Sequence, residues 1–395
     1  MARVRLGAAL LVVLLAVAWS QAAYAKARPG GVHPSGTVDR IAFVFYYPWY
    51  TGNPTYTHWS TTSDIQPSIN IDSTTYPQLN AYDTATELAQ HMAWIKQAGL
   101  DVVIISWWGQ TSPENLISGA VLDAAQAQGL KVSFMIEPYD QATADSIASD
   151  IQYIDTTYGS HPAYFRVNRQ TKYGPNPVPA GGRGVFFLYT PPNGDWTTIL
   201  GNLHSSAVDP LVVMRLDDSN MNTAPTAQAE IDTFHADGLF NYGQYTRFTA
   251  YHNPLPPISS DYVSMFAASP GFDNSRKVGA INPPAPTLRN AGAYYDNSFS
   301  PLAYQKPEWV SVDSFNEWSE TTQIEPAKPF AYVNIGNPTL NFTYGDYTGA
   351  YGLADPAAQM AYINRTAYWL AIYRSAGRTP VSPAPAPSGS PRPRP

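Results

Sequence analysis

Ile41-Ala42-Phe43-Val44-Phe45-Tyr46 is an unbroken apolar run of strand length. After it, Thr84 and Glu87 form a capping-box pair, Leu88, Met92 and Ile95 mark one face of a helix, and Gly99 closes that helix. Val102-Val103-Ile104-Ile105 is a second apolar run. Strand, amphipathic helix and buried strand in this order make a parallel βαβ unit. The rhythm recurs outward from there. Ser112-Pro113 reads as a cap with proline at the first helical position, and that helix closes near Gly129. Val132–Ile136 is the third strand and is followed by a helix over 144–153. Val185–Leu188, Leu211–Arg215, Leu239–Tyr242, Val263–Ala267 and Trp309–Ser314 continue the series, with helical stretches over 196–203 and 227–235. Asp355-Pro356 caps a last helix with Met360, Ile363, Ala367 and Leu370 on its inner face. Eight strands alternating with helices predict an α/β fold, a (β/α)8 TIM barrel with long βα loops, spanning residues 38–378.

The flanks read differently. Arg3 and Arg5 precede an apolar run from Leu6 to Ala18, and Ala23-Tyr24-Ala25 offers small residues for cleavage. Residues 1–25 are therefore expected to be a signal peptide, residues 26–37 a flexible segment, and the chain a secreted, extracellular product of bacterial export. A retained membrane anchor is the competing reading, but the run falls short of the roughly 20 residues that span a bilayer. Residues 379–395, dense in proline, are expected to be an extended tail.

Composition removes several classes of function. The chain has no cysteine, so disulfides, thiolate metal sites and cysteine nucleophiles are excluded. Lys and Arg total 23 against 30 Asp and Glu, a net charge of −7, which argues against nucleic acid. Charged residues are only 13% of the 395, about half the usual share, while aromatic residues are also 13%, with 27 tyrosines and 10 tryptophans. The seven histidines show no metal-ligand spacing, and no esterase, phosphate-loop or dinucleotide motif occurs. Neither a metal nor a cofactor is called for. A monomer free of the membrane after leader cleavage is expected.

Functional groups of such a barrel collect where the strands end. Those positions hold Tyr46, Tyr47 and Trp49 after strand one, Trp107 and Trp108 after strand two, Glu137 and Tyr139 after strand three, and Tyr189 after strand four. Asp217 and Asp218 follow strand five, and strand eight runs into Asn316-Glu317-Trp318-Ser319-Glu320. Aromatic faces pack on the C–H face of a pyranose and carboxylates accept its hydroxyls, so the ring of residues suits a sugar. Glu317 and Glu320, three apart, project from one side of a turn with Cβ atoms roughly 5–6 Å apart. Two carboxyls this close can divide into base and acid, and close spacing favours a retaining glycosidase.

The stretches Phe45-Tyr46-Tyr47-Pro48-Trp49-Tyr50, His58-Trp59, Ser106-Trp107-Trp108-Gly109, Glu137-Pro138-Tyr139 and Ser314-Phe315-Asn316-Glu317-Trp318-Ser319-Glu320, continuing to Glu325-Pro326, resemble glycoside hydrolase family 99. That is the family of endo-α-mannosidases and endo-α-mannanases. The lesser markers His161-Pro162-Ala163-Tyr164 and Pro270-Gly271-Phe272-Asp273 fall in the same order, so the likeness runs over about residues 40–375. The resemblance implies a metal-free retaining hydrolase that cuts internal α-1,2-mannosyl linkages of an α-linked mannose-containing oligosaccharide or polysaccharide. It implies the substrate's own 2-hydroxyl as internal nucleophile and a 1,2-anhydro sugar intermediate. Glu317 would then deprotonate that hydroxyl, and Glu320 would protonate the leaving oxygen and later activate water. Glu137 would hold substrate hydroxyls, His58 and Trp59 would lie near substrate, and Asn316 and Trp318 would fix the acid pair.

Two departures bear on this. Thr321 stands where the family usually has glycine, and a threonine tolerates positive φ poorly, so a different turn and a re-aimed acid are to be considered. Asp140-Gln141 replaces a Gly-Arg pair, which bears on the sugar recognised. The alternatives are a non-catalytic carbohydrate-binding protein on the same barrel, or a retaining α-glucanase with a direct carboxylate nucleophile.

Overall fold

A computed structural model describes residues 40–50, 85–174, 177–189, 191–215, 224–242, 261–273, 286–327, 330–332, 342–344 and 347–375. The expected leader and proline-rich tail lie outside them, as do Thr84, His58, Trp59 and the Asp217-Asp218 pair.

Eight parallel strands close into a barrel. They are β1 (Ile41–Tyr46), β2 (Val102–Trp107), β3 (Lys131–Ile136), β5 (Arg183–Leu188), β6 (Leu211–Arg215), β7 (Gly238–Phe240), β8 (Val263–Ala268) and β9 (Trp309–Val312). Each pairs in parallel with the next, β3 joins β5 directly, and β9 returns to β1 with Ile41 opposite Trp309. Two-residue β4 (Arg166–Val167) pairs antiparallel on the side of β5, and β10 (Phe330–Tyr332) with β11 (Phe342–Tyr344) forms a separate hairpin-like pair.

The helices follow local chemistry. In α1 (Ala85–Gln97) the buried face is Leu88, His91, Met92, Trp94 and Ile95, the expected 3.6-residue stripe widened by two rings. Ser112 caps α2 (Pro113–Ala127) by accepting the Asn115 amide at 3.2 Å, with Pro113 where its missing N–H costs nothing. Thr143 and Ser146 cap α3 (Ala144–Tyr158) reciprocally. Further round lie α4 (Trp196–His204), α5 (Ala224–Phe234), α6 (Ala293–Gln305) and α7 (Ala361–Arg374). The final helix begins later than expected: after Pro356 the chain makes one tight turn over Ala357–Met360 before α7 starts. Strand nine also stops earlier, at Val312, because the Ser314 amide turns away to bond the Thr322 carbonyl at 2.8 Å.

Along β1 alternate residues divide cleanly. Phe43 and Phe45 enter the barrel, whereas Tyr46 turns to α1. The barrel interior is a column of rings. Phe43 meets Phe165, Phe187 and Trp309 at centroid distances of 5.5, 5.8 and 5.0 Å. One layer up, Phe240 meets Phe45 at 5.9 Å and Phe187 at 5.3 Å. At the top Tyr242 contacts Phe45 at 4.8 Å and Tyr189 at 5.2 Å. Each buried ring of the lower layers contributes roughly 1.5–3 kcal/mol. The change from phenylalanine to tyrosine going up places the phenol hydroxyls at the mouth.

Candidate active site

The loop after β9 carries Glu317 and Glu320. Its base is laced shut by the Ser314 amide on the Thr322 carbonyl at 2.8 Å, the Ser314 and Thr322 hydroxyls at 2.9 Å, and the Glu325 amide on the Phe315 carbonyl at 2.8 Å. It is also stitched to the first strand. Asn316 receives the Tyr47 amide at 2.8 Å and donates its own N–H to the Tyr47 carbonyl at 2.9 Å. The Phe315 amide bonds the Phe45 carbonyl at 2.9 Å, and the Trp318 amide bonds the Tyr50 hydroxyl at 3.0 Å.

Thr321 lies at φ +59°, the left-handed region that glycine occupies most easily. The turn is thus adopted despite the side chain, and the surroundings hold it there. The Thr321 hydroxyl donates to the Asp273 carbonyl at 2.9 Å, while the Asp273 amide bonds the Glu320 carbonyl at 2.8 Å. Arg289 adds a clamp, donating to the carbonyls of Thr321 at 3.0 Å and Gln323 at 2.6 Å.

Glu317 is buried, and its Oε1 accepts both the amide (3.0 Å) and the hydroxyl of Ser319. Two donors on one oxygen favour the ionised form. Glu320 is half-buried at the mouth. Across the mouth Glu137 is buried, with its Oε1 accepting the Ser106 hydroxyl at 2.8 Å, and Ser106 in turn accepts the Trp108 indole N–H at 3.0 Å. Burial pushes the Glu137 carboxyl up to about 8; the Ser106 hydroxyl pulls the other way, the Glu320 charge adds to the rise, and Arg215 offsets part of it. Glu137 is thereby held largely protonated at neutral pH, a donor facing two other acids. The hydroxyls of Tyr47 and Tyr242 bond each other, and burial holds both phenols well above their ordinary range, so they stay protonated donors. Arg215 stacks its guanidinium 4.4 Å over the Tyr189 ring and donates Nε–H to the Tyr242 carbonyl at 3.1 Å.

Glu137, Tyr47, Tyr189, Glu317 and Glu320 thus gather at one end of the barrel, close enough for their charges to act on one another. Trp49 and Trp108 border them, half-buried, 6.3 Å apart and with Trp49 4.8 Å from Tyr47. Two expected rim residues are not there. Tyr46 is fully buried against α1, its hydroxyl 2.9 Å from His91 Nδ1. Trp107 is fully buried too, and its indole donates to Asn115 of α2 at 3.1 Å. Both are one residue out of phase with the inward-facing positions, and the period-two alternation of a strand sends them to the helix layer. Trp318 turns its indole down to Glu325 (2.8 Å), so it anchors the loop from beneath. Tyr139 lays its ring beside Gly109, whose φ of +108° is the conformation that calls for glycine there, and donates its hydroxyl to Asp150 of α3 at 2.6 Å. The structure also brings in Ser106, Arg215 and Tyr242, which the sequence reading left out. All three sit at strand ends and face inward, so the signal was the same alternation.

The family 99 model of glycosyl hydrolases matches residues 37–375. The chain is 27% identical over 363 residues to the glycoprotein endo-alpha-1,2-mannosidase of Mus musculus, covering 82% of this chain and 74% of that protein. It is 26% identical over 353 residues to the enzyme of the same name from Xenopus laevis, covering 77% and 72%. Its fold is similar to that of a solved structure, the GH99 endo-alpha-mannosidase from Bacteroides thetaiotaomicron, with a TM-score of 0.64 at 24% identity over 86% of this chain and 100% of that one. With a barrel mouth lined by carboxyls and rings, and a family match over nearly the whole of that barrel, the chain belongs to glycosyl hydrolase family 99 and is a glycoside hydrolase.

Proposed function

We propose that this hydrolase is exported and cuts internal α-1,2-mannosidic linkages in mannan or mannose-rich glycans with retention of configuration. The observation that carries the reading is the pairing of Glu317 and Glu320 on one braced loop opposite a protonated Glu137. The names of the relatives support the choice of sugar and of endo action. The N-terminal leader pattern supports export.

In this reading Glu317, whose Oε1 accepts the amide and hydroxyl of Ser319, takes the proton of the substrate 2-hydroxyl. O2 then attacks C1 from the back while the glycosidic C1–O bond breaks, and Glu320 gives its proton to the leaving oxygen. An α-mannoside has its 2-hydroxyl trans to that leaving group, as backside displacement requires. In the second half Glu320 takes a proton from water, the water oxygen bonds C1, the C1–O2 bond opens, and Glu317 returns its proton to O2. Two inversions give net retention. Protonated Glu137 and the one O–H left free by the Tyr47–Tyr242 hydrogen bond donate to sugar oxygens, while Trp49 and Trp108 offer ring faces.

Digestion of α-1,2-linked mannan, read by mass spectrometry, tests the reading. Oligosaccharides released from internal positions are expected. Glu320→Gln is expected to keep the first-half release of a good aryl leaving group from aryl mannosides, which needs no acid, and Glu317→Gln is not. Binding of mannan without any release of reducing ends would overturn hydrolysis of this substrate, and cleavage of a 2-deoxy substrate would overturn internal attack.

A further inference from the structure

Glu325 belongs to the same loop motif, and the chemistry above gives it no role. Its carboxylate is fully buried. One oxygen, Oε2, accepts the Trp318 indole N–H at 2.8 Å, and the other lies 3.2 Å from His91 Nε2. His91, also fully buried, reaches in from α1 with its Nδ1 2.9 Å from the Tyr46 hydroxyl. Glu87, one helical turn before it, lies 3.9 Å from the same Nε2. Burial, with the Glu325 and Glu87 charges adding to it, keeps the Tyr46 phenol protonated. The phenol shares one hydrogen bond with Nδ1, and the opposite ring nitrogen, Nε2, is the one that lies toward Glu325. Tyr46, His91, Glu325 and Trp318 form one chain of polar contacts running from β1 through the helix layer to the underside of the loop.

A carboxylate taken wholly out of water is costly, and an apolar side chain of similar size would fill this space more cheaply. What the carboxylate adds is direction. Glu325 is itself immobilised, its amide on the Phe315 carbonyl at 2.8 Å and its carbonyl receiving the Tyr347 hydroxyl at 2.7 Å. Trp318 stands between the two acids in sequence and is pinned at both ends, its amide to the Tyr50 hydroxyl and its indole to Glu325. We propose that Glu325 is a positioning residue for the hydrolysis: through the Trp318 indole it sets where Glu317 and Glu320 stand, and the His91–Tyr46 pair orients Glu325 from behind. The proposal rests on Glu317 and Glu320 being the reacting acids.

A double-mutant cycle tests it. Glu325→Leu and Trp318→Phe are each expected to lower kcat on α-1,2-mannan by roughly 10- to 100-fold with KM within about threefold, because the acids are misplaced while the sugar-contacting surface stays. The double variant is expected to be no slower than the worse single one. Glu325→Gln, which still offers an oxygen to the indole, is expected to recover much of the loss. Losses that multiply in the double variant, or a Glu325→Gln as slow as Glu325→Leu, would overturn the proposal. A second readout needs no turnover. The indole N–H resonance of Trp318, identified by its absence in Trp318→Phe, is expected to be slow to exchange with solvent in the parent chain and fast in Glu325→Leu. Equal exchange in both would overturn the positioning role even if the enzyme were inactive on mannan. An inactive parent chain with the expected exchange difference would instead overturn the substrate assignment and leave the anchor standing.

Discussion

Replacing Glu137 with glutamine removes the acid whose ionisation the fold resists most visibly. An ordinary glutamate ionises near 4.5, whereas the Glu137 carboxyl does so at about 8, because burial and the Glu320 charge outweigh the Ser106 hydroxyl and Arg215. In the unfolded chain the group is charged at neutral pH, and in the folded chain it is mostly not. Unfolding then releases a proton, so stability falls as pH rises from about 4.5 and levels off above about 8. Worked from those two values, the penalty is about 1 kcal/mol at pH 5 and about 3 kcal/mol at pH 7. Glutamine keeps an oxygen for the Ser106 hydroxyl and does not titrate. Glu137→Gln should therefore gain stability over the parent by about 2 kcal/mol more at pH 7 than at pH 5. Urea unfolding followed by tryptophan fluorescence at pH 5, 6, 7 and 8 measures this. In a Glu320→Gln background the same gap should shrink, since one source of the shift is gone. A gap that is flat from pH 5 to 8 would refute the reasoning, and would mean that water reaches the carboxyl and the mouth is wetter than its burial implies.

Thr321→Val keeps the strained φ of +59° but loses the hydroxyl bond to Asp273, and is expected to cost about 1 kcal/mol in thermal or urea unfolding, whereas Thr321→Gly, trading that bond for relief of strain, should stay near the parent. Trp107→Phe should cost about 1 kcal/mol of stability with KM for mannan unchanged, because its indole bonds Asn115 in the helix layer. Trp108→Ala should raise KM roughly five- to tenfold, the equivalent of about 1 kcal/mol of ring contact; the reverse pattern in steady-state kinetics would exchange their roles. His204 is buried between Asp209 at 3.0 Å and Asp237 at 3.3 Å; burial alone would discharge it, but the two carboxylates outweigh burial and raise its pKa. Its charged form therefore supports the fold below the ordinary histidine value of 6.5, and that support is lost as pH climbs through the raised value, so pH-dependent unfolding of His204→Gln should lack this loss.

The barrel was legible because strands buried on both sides read as short apolar runs and their helices carry periodic stripes and caps. Ser112-Pro113 and Leu88, Met92 and Ile95 are read directly as what they become. α6 was missed because Pro301 lies inside it and tyrosines crowd its length, so neither propensity nor pattern marks a helix; packing of Tyr295, Phe299 and Leu302 makes it one. The acid pair was legible as a local spacing. The direction of Tyr46 and Trp107 was open to the alternation rule and was lost by treating each strand end as one patch. Arg215 meets Tyr189 through the pairing of β5 with β6, and Tyr242 meets Tyr47 only across the closed barrel, so no local window contains them together. Protonation of Glu137 comes first from its burial, with Ser106 and Arg215 opposing and Glu320 adding from distant parts of the chain, and spacing alone cannot report it.

Barrel closure has a consequence for when activity can arise. The loop with both acids hangs from the end of β1 through two hydrogen bonds between the Asn316 side chain and the Tyr47 backbone, partners 269 residues apart. A nascent chain that has emerged as far as α6 holds seven of the eight barrel strands and the Glu137 acid, yet neither Glu317 nor Glu320. Sealing the last seam and delivering the acids are then a single event, late in synthesis and made of contacts far apart in sequence. Catalytic competence therefore comes late along the polypeptide: a chain ended before β9 has most of the barrel and neither of the paired acids.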